Sequence, residues 1–174
     1  MPQQFLAQRR GLVPTVDQLL FALTLVAALG CGLVAGVFFA FSAFVMKALA
    51  RLPPAAGIAA MQSINVVVLN PWFMGAFFGT AAVCVLALIS SLWRWHEPGA
   101  VYLFVGSALY LVGSVLVTIV FNVPRNESLA SIAPADPEGA SLWAGYVASW
   151  TAWNHVRTAA ALAAAASFSI ALGH

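Results

Sequence analysis

The sequence predicts an all-α integral membrane protein, a four-helix bundle with one or two further helices at the membrane interface. Of its 174 residues, 63% are hydrophobic and only 7% are charged. A soluble domain is about a quarter charged, and so few charges would leave its water-facing surface mostly hydrocarbon. The apolar residues also form four runs, each long enough to cross about 30 Å of hydrocarbon as a helix. We expect one domain to fill the chain.

The composition excludes two other classes of protein. The net charge is +2 and there is no basic run, which argues against a nucleic-acid binder. Cys31 and Cys84 each lie inside an apolar run. They are therefore expected to be small core residues facing neighbouring helices rather than parts of a disulfide framework.

The first predicted span covers residues 16–45, which is too long for a signal peptide. It carries a small residue at every fourth position: Ala28, Gly32, Gly36 and Ala40. Small residues on one face let membrane helices approach closely. We expect this stripe to pack within the protein, with the alanine-rich start of the last span as its candidate partner.

A shorter helix-forming segment, residues 55–69, comes next and is predicted to lie at the interface. It ends at Asn70-Pro71, where Asn is a favourable helix cap and Pro suits the first helical position. The second span is predicted over residues 71–92 and the third over 100–121.

The connection from residue 122 to residue 153 has two parts. Three prolines before residue 138 predict an irregular first part. Over 138–153, Trp143, Tyr146, Val147 and Trp150 recur at helical spacing and predict a second interfacial helix. The alternative for this segment is a lid over a pocket. The fourth span is predicted over 154–172.

Four spans bring most amides and several cations to one end of the bundle. The residues at this end are Lys47, Arg51, Gln62, Asn65, Asn70, Asn122, Arg125, Asn126, Asn154, His155 and Arg157. Burying amides or a guanidinium without partners is costly. They should therefore bond one another or face a cavity, and this end is the candidate site.

The densest polar stretch is residues 150–158. On a helix, Trp150, Asn154 and Arg157 share one stripe, and His155 falls on the next. Arg157 is interpreted either as a helix-end anchor or as a group that holds an anion or carbonyl. His155 is either an interfacial histidine or a general acid or base. For Asn70 and Asn122, helix capping is the alternative to a role in the site.

Several motifs are missing. The sequence has no phosphate-binding glycine loop, nucleophile elbow or Cys–His zinc spacing. None of its predicted spans carries a mid-membrane Asp, Glu or Lys, which argues against an ion pump or proton-coupled transporter. The remaining candidates for chemistry are a histidine, amides, an arginine and aromatic side chains.

Six segments resemble the anthrone oxygenase-like family. They are GVFFAFS at 36–42, ALARLP at 48–53, MQSIN at 61–65, LNPWFM at 69–74, NVPRN at 122–126 and WTAWNHVRT at 150–158. The last segment is the most specific, and Lys47 and Arg125 depart from the family pattern. The resemblance implies a monooxygenase, since some members oxidise an anthrone to an anthraquinone with molecular oxygen.

That chemistry implies a role for each of the polar residues. A base must remove a proton, and donors must hold the developing oxyanion. The expected catalytic residues are His155 as base and Arg157, Asn154, Asn65 and Asn122 as oxyanion and peroxide donors. The expected substrate-binding residues are Trp150, Trp153, Asn70, Asn126 and Arg125.

We expect no cofactor, with a metal held by His155 and nearby methionines (Met46, Met61, Met74) as the less favoured alternative. The expected partners are a hydrophobic, aromatic small molecule, O2 and membrane lipid, and a homo-oligomer stays open. The expected location is a bacterial inner membrane. The alternative function is a non-catalytic membrane protein that binds or passes a quinone or lipid.

Overall fold

A computed structural model describes residues 15–174, and its regular structure over that range is helical, without strands. We number five helices along the chain. They are α1 Val16–Leu49, α2 Pro54–Val67, α3 Pro71–Trp93, α4 Ala100–Ala130 and α5 Gly139–Ala171. Helix α5 packs along α1 and α4, while α3 closes the group by packing on α1 and α4. The all-α prediction is confirmed.

Three helices of the described chain are long and apolar enough to cross a membrane. These are α1, α3 and α4, with mean hydropathies of 2.3, 2.1 and 2.3. The predicted fourth span lies within α5 and is not among them. Its segment contains Asn154, His155 and Arg157, and its apolar residues are mostly alanines, which are less hydrophobic than the Leu, Val and Phe of the other three.

Helix α1 begins at a capping box and packs on α3 through small residues. The Thr15 side chain accepts a hydrogen bond from the Gln18 backbone, and the Gln18 side chain accepts one from the Thr15 backbone. Deeper in the bundle, Cys31 and Cys84 are fully buried and carry free thiols. The expectation that both cysteines are core residues is confirmed.

The predicted small-residue stripe on α1 does not make the close packing. A Cβ atom built on Gly32 or Gly36 would meet nothing within 4 Å, so this face is open. The buried face of α1 is the neighbouring one, which carries Cys31, Val34 and Phe38. The alanine-rich part of α5 shares a core cluster with this buried face of α1, and it also approaches α4 closely, where a Cβ on Gly113 would lie 2.4 Å from the Cβ of Ala160.

The junction between α2 and α3 follows the sequence prediction. The Asn70 side chain accepts hydrogen bonds from the backbone N–H groups of Trp72 and Phe73, and Pro71 occupies the first helical position. Helix α2 spans Pro54–Val67, close to the predicted 55–69. Its last turn exposes Val66 and Val67, which suits a helix at the membrane interface.

The segment 122–153 differs from the prediction in both its parts. Helix α4 does not end at residue 121 but continues past Pro124 to Ala130. A π-helical stretch, Thr118–Asn122, precedes this proline, and the Arg125 guanidinium donates to the carbonyl of Phe121. Both features relieve the break that a proline imposes on an α-helical turn.

The predicted interfacial helix 138–153 and the predicted span 154–172 are one continuous helix, α5. The side chains of its aromatic stripe are mostly buried within the protein rather than exposed as an anchor. The helices form two apolar cores, of which the first contains Cys31 and Cys84. The second lies at one end and contains Trp143, Tyr146 and Trp150 of α5 together with buried residues of α1, α2 and α4. The other buried members are Met46, Leu49, Ile58, Met61 and Leu129. The aromatic stripe therefore closes one end of the bundle, because its large rings occupy much of the interior there.

Candidate functional site around a buried arginine

Arg157 lies at the end of the bundle that the topology predicted, and only 5% of its surface is exposed. Its Nη2 donates to the Oδ1 of Asn154 at 2.6 Å, and its Nη1 donates to the Oγ1 of Thr118 at 3.2 Å. The guanidinium carbon is 4.3 Å from the ring centre of Phe38 and 5.1 Å from that of Trp150. Two aromatic faces stabilise the cation.

No carboxylate neutralises this charge among the residues from 15 onward. All five acidic residues of the sequence lie in that range and are exposed, and the single ion pair found there joins Asp17 to Arg94 at the opposite end of α1. A guanidinium has five N–H donors, and its buried Nε has no partner in the described chain. Arg157 is therefore a buried cation with capacity for an anionic or carbonyl oxygen.

Asn154 ties the arginine to α1. Its Nδ2 donates to the carbonyl of Phe38 and to the Oγ of Ser42, both at 2.7 Å, while its Oδ1 accepts from Arg157. Thr158 lies one turn further along α5, and its Oγ1 is 3.3 Å from the Ser42 hydroxyl. The amide is fully buried and bonded on both sides, so it holds α1, α5 and the guanidinium in one arrangement.

Three π-helical segments supply the partners of this network. Ser42 belongs to the first, Phe41–Val45 in α1, and Ser114 to the second, Leu111–Leu116 in α4. Thr118 and Asn122 belong to the third, Thr118–Asn122. Single π turns inside α-helices recur at functional sites because each adds a residue and re-aims the side chains of its turn. Here they direct hydroxyl and amide groups toward α5.

Buried polar atoms without a partner concentrate at this end of the protein. Six such side-chain atoms occur in the described chain, and all except Ser107 Oγ belong to the site end. The five are Asn65 Nδ2, Asn122 Oδ1, Trp143 Nε1, Thr151 Oγ1 and Arg157 Nε. Since nearly all buried polar groups in proteins are hydrogen-bonded, this set marks where a polar ligand or water can bond.

Asn126 accepts hydrogen bonds from two aromatic side chains of the site, Tyr146 and Trp150. Its Oδ1 accepts one hydrogen bond from the Tyr146 hydroxyl and one from Trp150 Nε1, each at 2.9 Å. Burial raises the pKa of the Tyr146 phenol, so the hydroxyl stays protonated and remains a donor. Asn65 of α2 also lies near this hydroxyl. Asn126 therefore acts by orienting the ring of Trp150, whose face lies over Arg157.

The structure does not place His155 in this cluster. The side chain is exposed, whereas those of Asn154 and Arg157 are buried. Each step along a helix turns by about 100°, so the residue after Asn154 leaves the face that meets α1 and α4. The expectation that His155 is the catalytic base, or the residue that holds a metal, is therefore unsupported by its position.

Three predicted substrate-binding residues have local roles instead. Asn70 caps α3 with its oxygen and donates its Nδ2 to the carbonyl of Val67. Arg125 donates to a carbonyl of its own helix. Trp153 stacks on Phe121 with the ring centres 3.5 Å apart, on the partly exposed side of α5. Each of these side chains thus has its contacts within its own turn or on the outer surface, and for Asn70 this is the helix cap that the sequence offered as the alternative to a role in the site.

The sequence reasoning missed Phe38, Ser42, Ser114, Thr118 and Tyr146. One signal could have found some of them, because Ser114, Thr118, Asn122 and Asn126 recur at every fourth position of α4. A polar residue repeated on one face of an otherwise apolar helix indicates a face turned to other protein groups. Phe38 has no such signal, since its ring and carbonyl contribute only through the tertiary contact.

The fold and site define a class, an all-helical protein with membrane-compatible helices and a buried arginine–asparagine centre at one end. A family model described as Anthrone oxygenase matches residues 70–167, more than half of the chain. The chain belongs to this family, as the resemblance predicted. Comparisons with curated proteins and with solved structures gave no match. The matched region contains Asn122, Asn126, Asn154 and Arg157, whereas Ser42 and Asn65 precede it.

Proposed function

We propose that this protein is a membrane-embedded oxygenase that acts on a hydrophobic aromatic small molecule with O2. The observation that carries the proposal is Arg157, a buried guanidinium between two aromatic rings with no carboxylate partner in the described chain. Membership of the anthrone oxygenase family supports the reaction class. An anthrone-like ring system is the substrate class that suits this combination of one cation and flat apolar walls.

We further propose that α5 crosses the membrane as a fourth span, in a bacterial inner membrane. The polar side chains Asn154, Arg157 and Ser167 of α5 are buried, whereas Leu162 and Ile170 are exposed. Most of its polar groups thus face the protein and its outward face is largely apolar, as a lipid-exposed helix requires; the exposed His155 lies near the start of this span, and the exposed Ser169 near its end donates to a carbonyl of its own helix. Helix α5 also extends along the length of the bundle. Its Asn154 bonds Ser42 near the end of α1, and its Phe168 packs on Gly106 near the start of α4.

The proposed reaction converts a methylene group flanked by aryl rings into a ketone. Loss of one proton gives a delocalised anion, which adds O2 and, on protonation, gives a hydroperoxide. Elimination of water then leaves the new carbonyl, so one oxygen atom enters the product and the other leaves with the two methylene hydrogens. The chain supplies the Arg157 guanidinium and the free Nδ2 group of Asn65 as donors to the oxyanion, in a site shielded from water, whereas the Nδ2 of Asn122 already donates to the carbonyl of Trp150. This scheme requires no metal or flavin.

Oxygen uptake by detergent-purified protein tests the proposal. With an anthrone as substrate, we expect one O2 consumed per quinone formed. Arg157→Gln should lower kcat/KM by about 100-fold or more, since removing one oxyanion donor has effects of that order. Arg51→Gln, which removes an exposed cation at the same end, is the matched control and should keep the wild-type rate.

The competing function, a non-catalytic binder of a quinone or lipid, predicts a different result. Such a protein would bind the ring system without consuming O2 above the rate in empty detergent micelles. Folded Arg157→Gln protein with wild-type oxygen uptake would also contradict the assignment of the site.

A further inference from the structure

We infer that the Arg157 site binds its ligand as an anion and contains no protein base of its own. The ligand is an aromatic phenol or enol that ionises on the guanidinium and releases its proton to water. The identity of this ligand class rests on the proposed function. The manner of binding rests on the distribution of charges and donors in the structure.

The first support is the position of every carboxylate and imidazole in the sequence. All are exposed, and they are Asp17, Glu97, Glu127, Asp136, Glu138, His96, His155 and His174. The buried network around Arg157 consists of amides, hydroxyls and aromatic rings. Tyr146, the phenol beside it, has its pKa raised by burial and stays neutral. None of these neutral groups accepts a proton readily near neutral pH.

The second support is the uncompensated charge of Arg157. A neutral ligand would leave the buried cation without a counter-charge. An anionic ligand would supply that counter-charge. The attraction between the ligand and Arg157 would be strong, because the protein interior screens charges less than water does. The site therefore favours the ionised form of an acidic ligand over its neutral form, which lowers the ligand's pKa when it is bound.

The third support is the unpartnered donor of Arg157 itself. Its buried Nε carries a hydrogen, can only donate and has no partner in the described chain. An ionised ligand oxygen suits this donor better than a neutral phenol does, because charge-assisted hydrogen bonds are roughly twice as strong as neutral ones.

A chromogenic phenol that does not react with oxygen tests the inference directly. We would titrate 2-hydroxyanthraquinone, whose absorption moves to longer wavelength on ionisation, in the presence of the purified protein. We expect its pKa in the bound state to be at least about one unit below its value in empty micelles, which means that the anion binds at least about tenfold more tightly than the neutral form. Proton release on binding, followed with a pH indicator, should match the ionised fraction.

Variants test whether the Arg157 guanidinium, and not another group, causes the pKa shift of the bound probe. Arg157→Gln should remove the shift, and Arg157→Lys, which keeps the charge, should retain its direction. Arg51→Gln should leave the shift unchanged, which excludes a general effect of positive surface charge. His155→Gln should also leave it unchanged. If Arg157→Gln does not fold, the wild-type shift and proton release still decide the question.

An unshifted bound pKa, or loss of the shift in His155→Gln, would overturn the inference. Its failure is distinguishable from failure of the proposed function, because the probe needs no O2. A shifted probe without oxygen uptake would leave the anion site standing and refute the oxygenase. Oxygen uptake together with an unshifted pKa of the probe would support the oxygenase and refute the anion site.

Discussion

At the scale of single residues, neighbours in the sequence have opposite environments. Asn154 is fully buried and joins Phe38, Ser42 and Arg157, whereas His155 is exposed. The stripe of Trp150, Asn154 and Arg157 follows from helical spacing, and all three are buried as that stripe implies. The spacing does not say which stripe faces the bundle, because α5 is rich in small apolar residues on several sides.

Asn154→Ala should therefore be strongly destabilising. It leaves one buried guanidinium nitrogen without its partner, which costs about 1–3 kcal/mol or more for a charged group, and it removes the second hydrogen bond to the Phe38 carbonyl, which keeps the one from the Phe41 N–H. We expect a loss of about 2–4 kcal/mol in the free energy of unfolding, measured by denaturant titration in mild detergent. His155→Ala is the matched control and should stay within about 0.5 kcal/mol of wild type. Equal effects of the two substitutions would contradict the network.

At the scale of the helices, the π-helical segments determine which side chains reach the site. The segment Phe41–Val45 buries Ser42 and, beyond it, Met46 and Leu49, while Phe44 is exposed. A π turn is equivalent to one residue inserted in an α-helix. Apolar sequence alone does not reveal such an insertion, since the run of hydrophobic residues continues through it.

Deleting Phe44 should test the role of the π turn in α1. A π turn holds one residue more than the α-helical turn that it replaces, so the deletion can restore α-helical spacing while Met46 and Leu49 keep their places in the second apolar core. Within the turn itself, the Ser42 side chain should lose the direction that the π turn gives it toward Asn154. We expect a lower midpoint of thermal unfolding, measured by size-exclusion chromatography after heating. Phe44→Ala keeps the π turn and should be nearly neutral, whereas a deletion variant as stable as Phe44→Ala would show that the π turn has no structural role.

At the scale of the whole molecule, the topology decides how the polar residues meet. Helices α1, α3 and α4 are suited to span a membrane, and the proposed crossing by α5 places its C-terminus beside the α3–α4 connection. Tyr102 stacks on His174 there, with the ring centres 5.5 Å apart. Arg157 lies toward the other end of the bundle, where it contacts Phe38 of α1 and Thr118 of α4.

Single cysteines accessible from water test this arrangement. We would introduce Ser128→Cys, Glu97→Cys or His174→Cys, all at exposed positions, and label them in intact cells with a membrane-impermeant maleimide. Glu97→Cys and His174→Cys should behave alike, and Ser128→Cys should be labelled from the opposite side of the membrane. Cys31 and Cys84 are buried and should contribute little background. Labelling of Ser128→Cys and His174→Cys from the same side would refute the fourth span.

Four properties follow from the amino-acid sequence without the fold: the helical, membrane-compatible class, the cap at Asn70, the end of the bundle at which polar groups gather, and the family. These properties depend on composition, on local hydrogen bonds and on residue type at fixed spacing. Only the packing of the helices shows that α5 is continuous, that its aromatic residues are core, and that Arg157 has no carboxylate partner among residues 15–174. It also decided that His155 lies outside the cluster and that Phe38 and Ser42 lie within it. These outcomes depend on how each helix is rotated against its neighbours, and π turns and contacts between distant residues set that rotation.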